Sequence, residues 1–353
     1  MATDITHGTA IEWTHVPGMK GESWNPLSGC SSVSEGCRNC YAVAKTRRLA
    51  TFPHTKEKYG GLLNAAGTHF NGIVRCHERE LERPLRWTKP RCIFVNSMSD
   101  LFHANVPFEF IGQVFAVAAL CPQHLFIVLT KRPEIAAEWY GRRGRQTEDG
   151  EPLSNVYLYT SIEDQPSADK RIPELLKCPA ALFGLSIEPL LGPVDLNSSS
   201  MPEWWNWNGG IGHVLVGGES GPNARPCDVA WIRSIRDQCA AAGVPCFVKQ
   251  DSGPKPGRRG RIPDDLWAVK EFPAETGWIG LTNQGKLDEN LKIETRCQVG
   301  VPDRHLPRRL RMGPHAVPSP RCSAREASAK KSGSRAELFR LRAASVSNPA
   351  AGL

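Results

Sequence analysis

Three cysteines stand close together in the run SWNPLSGCSSVSEGCRNCYA (Ser23–Ala42): Cys30, Cys37 and Cys40, in the spacing Cys-x6-Cys-x2-Cys. Gly29 and Gly36 precede the first two and let the backbone turn tightly there. Such a loop can converge three thiolates on one point, so all three are expected to be metal ligands. The count carries information. A structural zinc takes four protein ligands, and an ordinary ferredoxin-type cluster takes four cysteines. A 4Fe–4S cluster on three cysteines leaves one iron open for a small molecule. Arg38 and Lys45 add positive charge, which favours thiolates. Two other readings stay open: a zinc site completed by His15, Cys76 or His77, and three unligated thiols. The other nine cysteines, Cys76, Cys92, Cys121, Cys178, Cys227, Cys239, Cys246, Cys297 and Cys322, are scattered singly and read as small hydrophobic filler.

A second set of polar residues recurs just past six apolar runs. Asn96, Ser97, Ser99 and Asp100 follow the first. Thr130, Lys131 and Arg132 follow the second, and Ser161, Glu163 and Asp164 the third. Ser186 and Glu188 follow the fourth, Gly217, Gly218, Glu219 and Ser220 the fifth, and Lys249 with Gln250 the sixth. Ligands of parallel α/β folds bind at the carboxyl ends of strands. Glu163, Glu188 and Glu219 are expected to face one pocket beside the cysteines. Three converging carboxylates repel, so Lys131, Arg132, Lys249 or a cationic ligand must compensate them. His103 reads equally well as a structural or a pocket-rim residue.

These side chains need a scaffold, and the runs themselves supply it. CIFVNSMSD (Cys92–Asp100), HLFIVLTKRPE (His124–Glu134), VYLYTSIED (Val156–Asp164), ALFGLSIEP (Ala181–Pro189), HVLVGGESG (His213–Gly221) and PCFVKQDSG (Pro245–Gly253) fit strands buried on both faces of a parallel sheet. Helical segments alternate with several of them: Phe108–Leu120, Ser167–Lys177 with an irregularity at Pro173, and Asp228–Gly243. The last has Asp228 as N-cap, Val229, Ile232, Ile235 and Cys239 at helical spacing, and Gly243 as C-cap. Six βα units plus a strand near the N-terminus predict an α/β fold with a full or partial parallel (β/α) barrel; a doubly wound open sheet is the alternative.

Two polar insertions interrupt the rhythm. One is RRGRQTEDGEP (Arg142–Pro152). The other, Asn197–Gly210, carries Trp204, Trp205 and Trp207, which suit a lid, a base-stacking surface or a cap on the barrel end. The expected division is a barrel domain over 1–273, with the three-cysteine loop near its start, and a basic extension over 274–353. From Thr295 the extension has no sustained periodicity and reads as disordered.

The composition of the 353 residues, 40% hydrophobic and 23% charged, is that of a globular chain. No run of 18 apolar residues occurs, and the N-terminus lacks a signal-peptide pattern, so a cytoplasmic protein with no membrane partner is expected. The net charge of +8 invites a nucleic-acid reading. Residues 274–353 carry 14 Lys and Arg against 7 Asp and Glu, and the rest of the chain 30 against 29. The basic excess thus belongs to the tail, through which nucleic acid is a possible partner.

The motifs IEWTHV, SWNPLSGCSSVSEGCRNCYA, NSMSDLFH, LTKRPE, TSIED, SIEPLLGPVDL and VGGESGPNARP, in this order over Ile11–Phe272, resemble the phage-associated three-cysteine-motif proteins. Those in turn resemble divergent radical S-adenosylmethionine enzymes, whose usual spacing is Cys-x3-Cys-x2-Cys. The resemblance implies a radical-SAM-like barrel. It implies a 4Fe–4S cluster on Cys30, Cys37 and Cys40, with S-adenosylmethionine at the open iron. It also implies a 5′-deoxyadenosyl radical acting on a substrate that no motif names, in a phage or mobile-element setting, with a separately encoded partner protein. The cofactor would be bound by Ser97, Asp100, Lys131, Arg132, Ser161, Glu163, Ser186, Glu188, Gly217, Gly218, Glu219 and Lys249. Among these, carboxylates suit ribose hydroxyls and the α-amino group, Lys131 or Arg132 suits the α-carboxylate, and the two glycines permit close approach. The rival readings are a zinc-binding, nucleic-acid-associated protein without enzymatic activity, and an iron–sulfur nuclease or repair factor.

Overall fold

The computed structural model describes residues 8–143, 151–197 and 210–273. Residues 144–150 of the first insertion, Trp204, Trp205 and Trp207, and everything from residue 274 lie outside the described residues, and with them the expectations for a lid and a tail. The chain divides into two units, 1–279 and 280–353, and all described residues belong to the first.

Seven strands form one sheet: β1 (Lys20–Trp24), β4 (Arg91–Val95), β5 (Leu125–Thr130), β6 (Val156–Ile162), β7 (Leu182–Ile187), β8 (Ile211–Gly217) and β9 (Cys246–Gln250). They lie in chain order and every pairing is parallel. A strand order that never reverses has no switch point, which rules out the doubly wound alternative. The sheet curls into a half-barrel, the partial form of the expected barrel. The short strands β2 (Leu27–Ser28) and β3 (Arg75–Cys76) pair antiparallel as a separate ribbon.

Parallel neighbours require crossovers, and four of the six are supplied by one helix each: α4 (Phe108–Ala119), α5 (Pro133–Arg143), α6 (Gln165–Leu176) and α7 (Val229–Ala242). The long connection from β1 to β4 holds α1 (Tyr41–Leu49), α2 (Pro53–Tyr59) and α3 (Glu78–Leu81), and α8 (Asp264–Trp267) follows β9. The caps on α7 are those the sequence offers. Asp228 accepts from the Ala230 amide at 2.9 Å, and Gly243 takes the left-handed conformation at φ 69°. Asp164 and Ser167 form a reciprocal capping box on α6, and that helix tolerates Pro173 inside it. Every residue of β6 and β8 is buried, as two covered faces demand.

One buried histidine gives the core a titration signature. His213 on β8 donates from Nε2 to the Glu271 carbonyl (3.1 Å), so its Nδ1 accepts from the Tyr159 hydroxyl (2.8 Å). Burial pushes its pKa from 6.5 down to about 4. The unfolded chain therefore takes up a proton that the folded chain refuses between these two values. Stability contributed by His213 is complete above pH 6.5 and is lost as the pH falls toward 4, by about 1.4 kcal/mol per unit at most. A His213→Gln protein should show a flatter urea midpoint across that window than the parent; equal slopes would refute the assignment.

Candidate functional site

The loop from β2 to α1 carries all three clustered cysteines, each partly buried. Gly29 fixes its start. It sits at φ 88°, a Cβ there would fall 2.0 Å from the Ile73 carbonyl oxygen, and its backbone bridges Ser99 just past β4. A 3-10 turn (Glu35–Cys37) follows, and Cys40 forms the N-cap of α1. At Gly36, whose φ is not positive, the requirement is space rather than a left-handed turn. A Cβ there would lie 2.4 Å from Glu163 Cγ, so only glycine lets the loop rest on the end of β6.

Beside Cys30 lies a buried ion pair. Asp100 Oδ2 accepts from Arg132 Nη1 (2.9 Å) and the Lys131 amide (3.1 Å), and Oδ1 accepts from Thr130 Oγ1 (2.7 Å) and the Phe102 amide (3.0 Å). Arg132 Nη2 donates to the Ser31 carbonyl (2.8 Å) and hydroxyl (3.0 Å), and Nη1 stands 3.9 Å from Cys30 Sγ. His103 completes the support. Its Nδ1 accepts from the Asn105 amide (3.1 Å), so Nε2 carries the proton and donates to Ser31 Oγ (2.8 Å). Burial and then the Arg132 charge push His103 down and keep it neutral. His103 is thus structural, and it orients the loop rather than a ligand.

Burial pushes the Cys30 thiol up to about 12; Asp100 adds to the rise and Arg132 opposes it. Burial raises Cys40 as well, with Cys37 adding to the rise and Lys131 opposing it. Left alone, these two sulfurs hold their protons; a coordinated metal cation would displace them.

Glu163 and Glu219 touch this loop, Glu188 lies beside them, and the chain's own cations compensate all three. Glu163 is 2% exposed. Its Oε1 accepts from Ser34 Oγ (2.8 Å) and from Lys131 Nζ, and its Oε2 from Arg171 Nη1 (2.7 Å). Burial pushes this carboxyl up, but Lys131 and Arg171 outweigh it and hold it below the usual range. Glu219 is saturated: Arg225 binds both its oxygens, Nη2 at 2.6 Å and Nε at 3.0 Å, while the Arg225 amide (2.8 Å) and Asn39 Nδ2 (2.9 Å) share Oε2. Arg225 also donates to the Glu35 carbonyl (2.9 Å), so the β8 end is tied to the cysteine loop twice. Glu188 Oε2 accepts from Lys249 Nζ (2.9 Å) and Ser186 Oγ (3.3 Å). Its Oε1 is buried with no partner, close against Gly217, where a Cβ would come within 2.9 Å. The Glu188 charge is felt at Tyr41, the residue after Cys40.

The ends of β4, β5, β6 and β8 thus meet on the cysteine loop, with Ser186, Glu188 and Lys249 as a neighbouring group. Arg132, expected to balance a glutamate or a ligand, is committed to Asp100. Arg171 and Arg225, which the sequence reading did not single out, take the glutamates instead. Arg225 had a local signal, six residues past Glu219; Arg171 on α6 had none, because only the fold brings it back to β6. Ser97 donates its hydroxyl to Asn25 (3.2 Å), and its carbonyl accepts from the Tyr41 hydroxyl. Ser161 accepts at its carbonyl from Arg171 (2.8 Å). Gly218 permits a close approach, but of the chain itself: a Cβ would lie 2.4 Å from the Ser252 amide nitrogen. His15, one residue suggested as a fourth zinc ligand, packs against Gly21 at the start of β1, and the cysteine loop lies past the other end of that strand. His77 is hydrogen-bonded to Ser28 Oγ (2.8 Å). Among the described residues, no three His, Cys, Asp or Glu side chains stand close enough to hold a single metal ion. No helix among them is long and apolar enough to cross a membrane.

Over residues 8–296 the chain matches the model of the family described as "Protein of unknown function (DUF5131)", and it belongs to that family. No curated protein and no solved structure matches it.

Proposed function

We propose that this member of the DUF5131 family is a radical S-adenosylmethionine-type iron–sulfur enzyme. Cys30, Cys37 and Cys40 hold a 4Fe–4S cluster, and S-adenosylmethionine takes the iron that has no thiolate. One observation carries this reading: three partly buried thiols share a loop seated on the strand ends of the half-barrel, with the Arg132 and Lys131 cations beside Cys30 and Cys40. The donor set fits the group. Soft thiolates suit iron–sulfur clusters, and two of the three sulfurs are buried where only a cation in the proton's place would leave them ionised.

When bound and reduced, such a cluster supplies one electron to the sulfonium, which cleaves its S–C5′ bond into methionine and a 5′-deoxyadenosyl radical. The chain's own part is to bind and orient. Arg132, fixed by Asp100, holds Ser31 and offsets the negative charge gathered on the thiolates. Lys131 does the same beside Cys40 while pairing with Glu163. Glu219, occupied on both oxygens, anchors the loop through Asn39 and Arg225. Glu188 keeps Oε1 free, and that atom is the acceptor for an ammonium or ribose hydroxyl of the cofactor. The resemblance to phage-associated proteins extends the reading to a mobile-element setting and a separately encoded partner, and the lack of a signal-peptide pattern to a cytoplasmic location.

Anaerobic reconstitution with iron and sulfide, followed by an assay of 5′-deoxyadenosine release with S-adenosylmethionine and a low-potential reductant, tests the proposal. Brown protein that releases 5′-deoxyadenosine supports it. Colourless protein that retains zinc and refuses iron overturns it. Within the same reading, Glu188→Gln should weaken S-adenosylmethionine binding by about tenfold or more, the scale of a hydrogen bond to a charged group, with iron content unchanged. Equal affinity would free Glu188 of that role.

A further inference from the structure

We propose that the exposed face of α1 and its turn into α2 bind single-stranded nucleic acid and lead it toward the mouth of the half-barrel. This goes beyond the cofactor reading and stands without it.

Charge is the first observation. Residues 38–91 carry twelve Lys and Arg against four Glu, a net +8. The rest of residues 1–273 carries 18 against 25, a net −7. The near-neutral average of this part of the chain hides a sharp separation, and the positive share is the segment that runs from the cysteines to β4. Long-range fields of this kind attract polyanions.

The second observation is what lies between the charges. On α1, Ala42, Val43 and Thr46 are buried, while Tyr41, Lys45 and Arg48, at i, i+4 and i+7, form one exposed stripe. The stripe begins beside Cys40 and runs about 10 Å along the helix. Just beyond it stands Phe52, 38% exposed, its ring stacked on His54 with centroids 5.9 Å apart and planes 28° apart. Lys56 follows, exposed on α2. Lys45, Arg48 and Lys56 have no ion-pair partner among the described residues. Of the five large hydrophobic side chains exposed among the described residues, two, Tyr41 and Phe52, lie on this surface. Unpaired cations interleaved with exposed rings are the parts a single strand needs: phosphates on Lys and Arg, bases on aromatic faces. A duplex offers the phosphates but keeps its bases stacked. Tyr41, half exposed with its hydroxyl fixed on the Ser97 carbonyl, is the ring nearest the cysteines.

Fluorescence anisotropy on the full chain tests this, with labelled single-stranded DNA and RNA 20-mers, the matching duplex, and vesicles of phosphatidylcholine with phosphatidylserine. Lys45→Gln, Arg48→Gln and Lys56→Gln together should weaken single-strand binding at least tenfold and make the salt dependence shallower by about two in log–log slope, the share of three lost phosphate contacts. Phe52→Ala should weaken it about fivefold or more with the slope unchanged, as loss of a stacked base predicts. A control that removes the same charge elsewhere, Arg142→Gln, Lys177→Gln and Arg236→Gln, should bind within about twofold of the parent. Three results each overturn the proposal: parent-like affinity in the α1–α2 variant, which assigns binding to the tail; equal losses in variant and control; or vesicle binding that depends on the same residues while single strands do not.

Discussion

Cys37→Ala, purified and reconstituted without oxygen, should be colourless, its iron content near zero and its broad visible absorption gone. The same holds for Cys30→Ala and Cys40→Ala, because a cluster held by three thiolates has no spare ligand to lose. Circular dichroism should match that of the parent, since the loop rests on strand ends that are complete without it. Two companions make the test selective. Cys76 is exposed on β3, paired with Leu27, and His77 is tied to Ser28. Cys76→Ser and His77→Gln should keep their iron and colour. Had the site been zinc completed by either residue, one of these two would release the metal along with the loop variants. Full iron content in Cys37→Ala would sink the three-cysteine site outright.

The sheet is legible in the sequence because its signal is local. Each buried parallel strand is a continuous apolar run closed by a polar residue, and α7 carries both its caps in the open. α5 is less legible, because its ends carry Glu134, Arg142 and Arg143 and its buried stripe is short, Ala136, Trp139 and Tyr140 at i, i+3 and i+4. The β2–β3 ribbon is not legible, because two residues per strand leave no periodicity to read. At the site, residue types were legible and partners were not. A strand-end glutamate announces a carboxylate near the mouth, but the cation that answers it comes from wherever the chain returns. Lys131, on the strand end next to Glu163, and Lys249, two strands from Glu188, are themselves strand-end residues and could be named. Arg171 had to come back from the second turn of α6. Glu219 shows the consequence: as a motif it reads as a ligand for a cofactor ammonium, whereas Arg225 and Asn39 fill it from within. Averaging charge over residues 1–273 concealed the basic segment in the same way, since a net +1 there is the difference of two large and separated terms.

The second large effect is expected at Asp100, and its sign follows from asymmetry. Asp100 and Arg132 are 6% and 5% exposed, and each satisfies the other. Asp100→Ala would strand the guanidinium in the interior and leave Thr130 Oγ1 and the Lys131 and Phe102 amides without their acceptor. Breaking a buried pair in this way costs about 3–5 kcal/mol. Arg132→Met removes the cation and leaves Asp100 with three donors, so its cost in stability should be clearly smaller. The order reverses for the metal. Arg132 is the group that touches Ser31 and Cys30, so Arg132→Met should lower iron retention as much as Asp100→Ala does, despite the better fold. Urea midpoints on the iron-free proteins, set beside iron content after reconstitution, separate the two effects. The double variant should recover part of the stability lost in Asp100→Ala, because the stranded charge is gone, and none of the iron. If Asp100→Ala unfolds at the parent's midpoint, the pair is not the buried support of the cysteine loop. If Arg132→Met holds iron as firmly as the parent, Arg132 supports the strand ends without positioning Cys30.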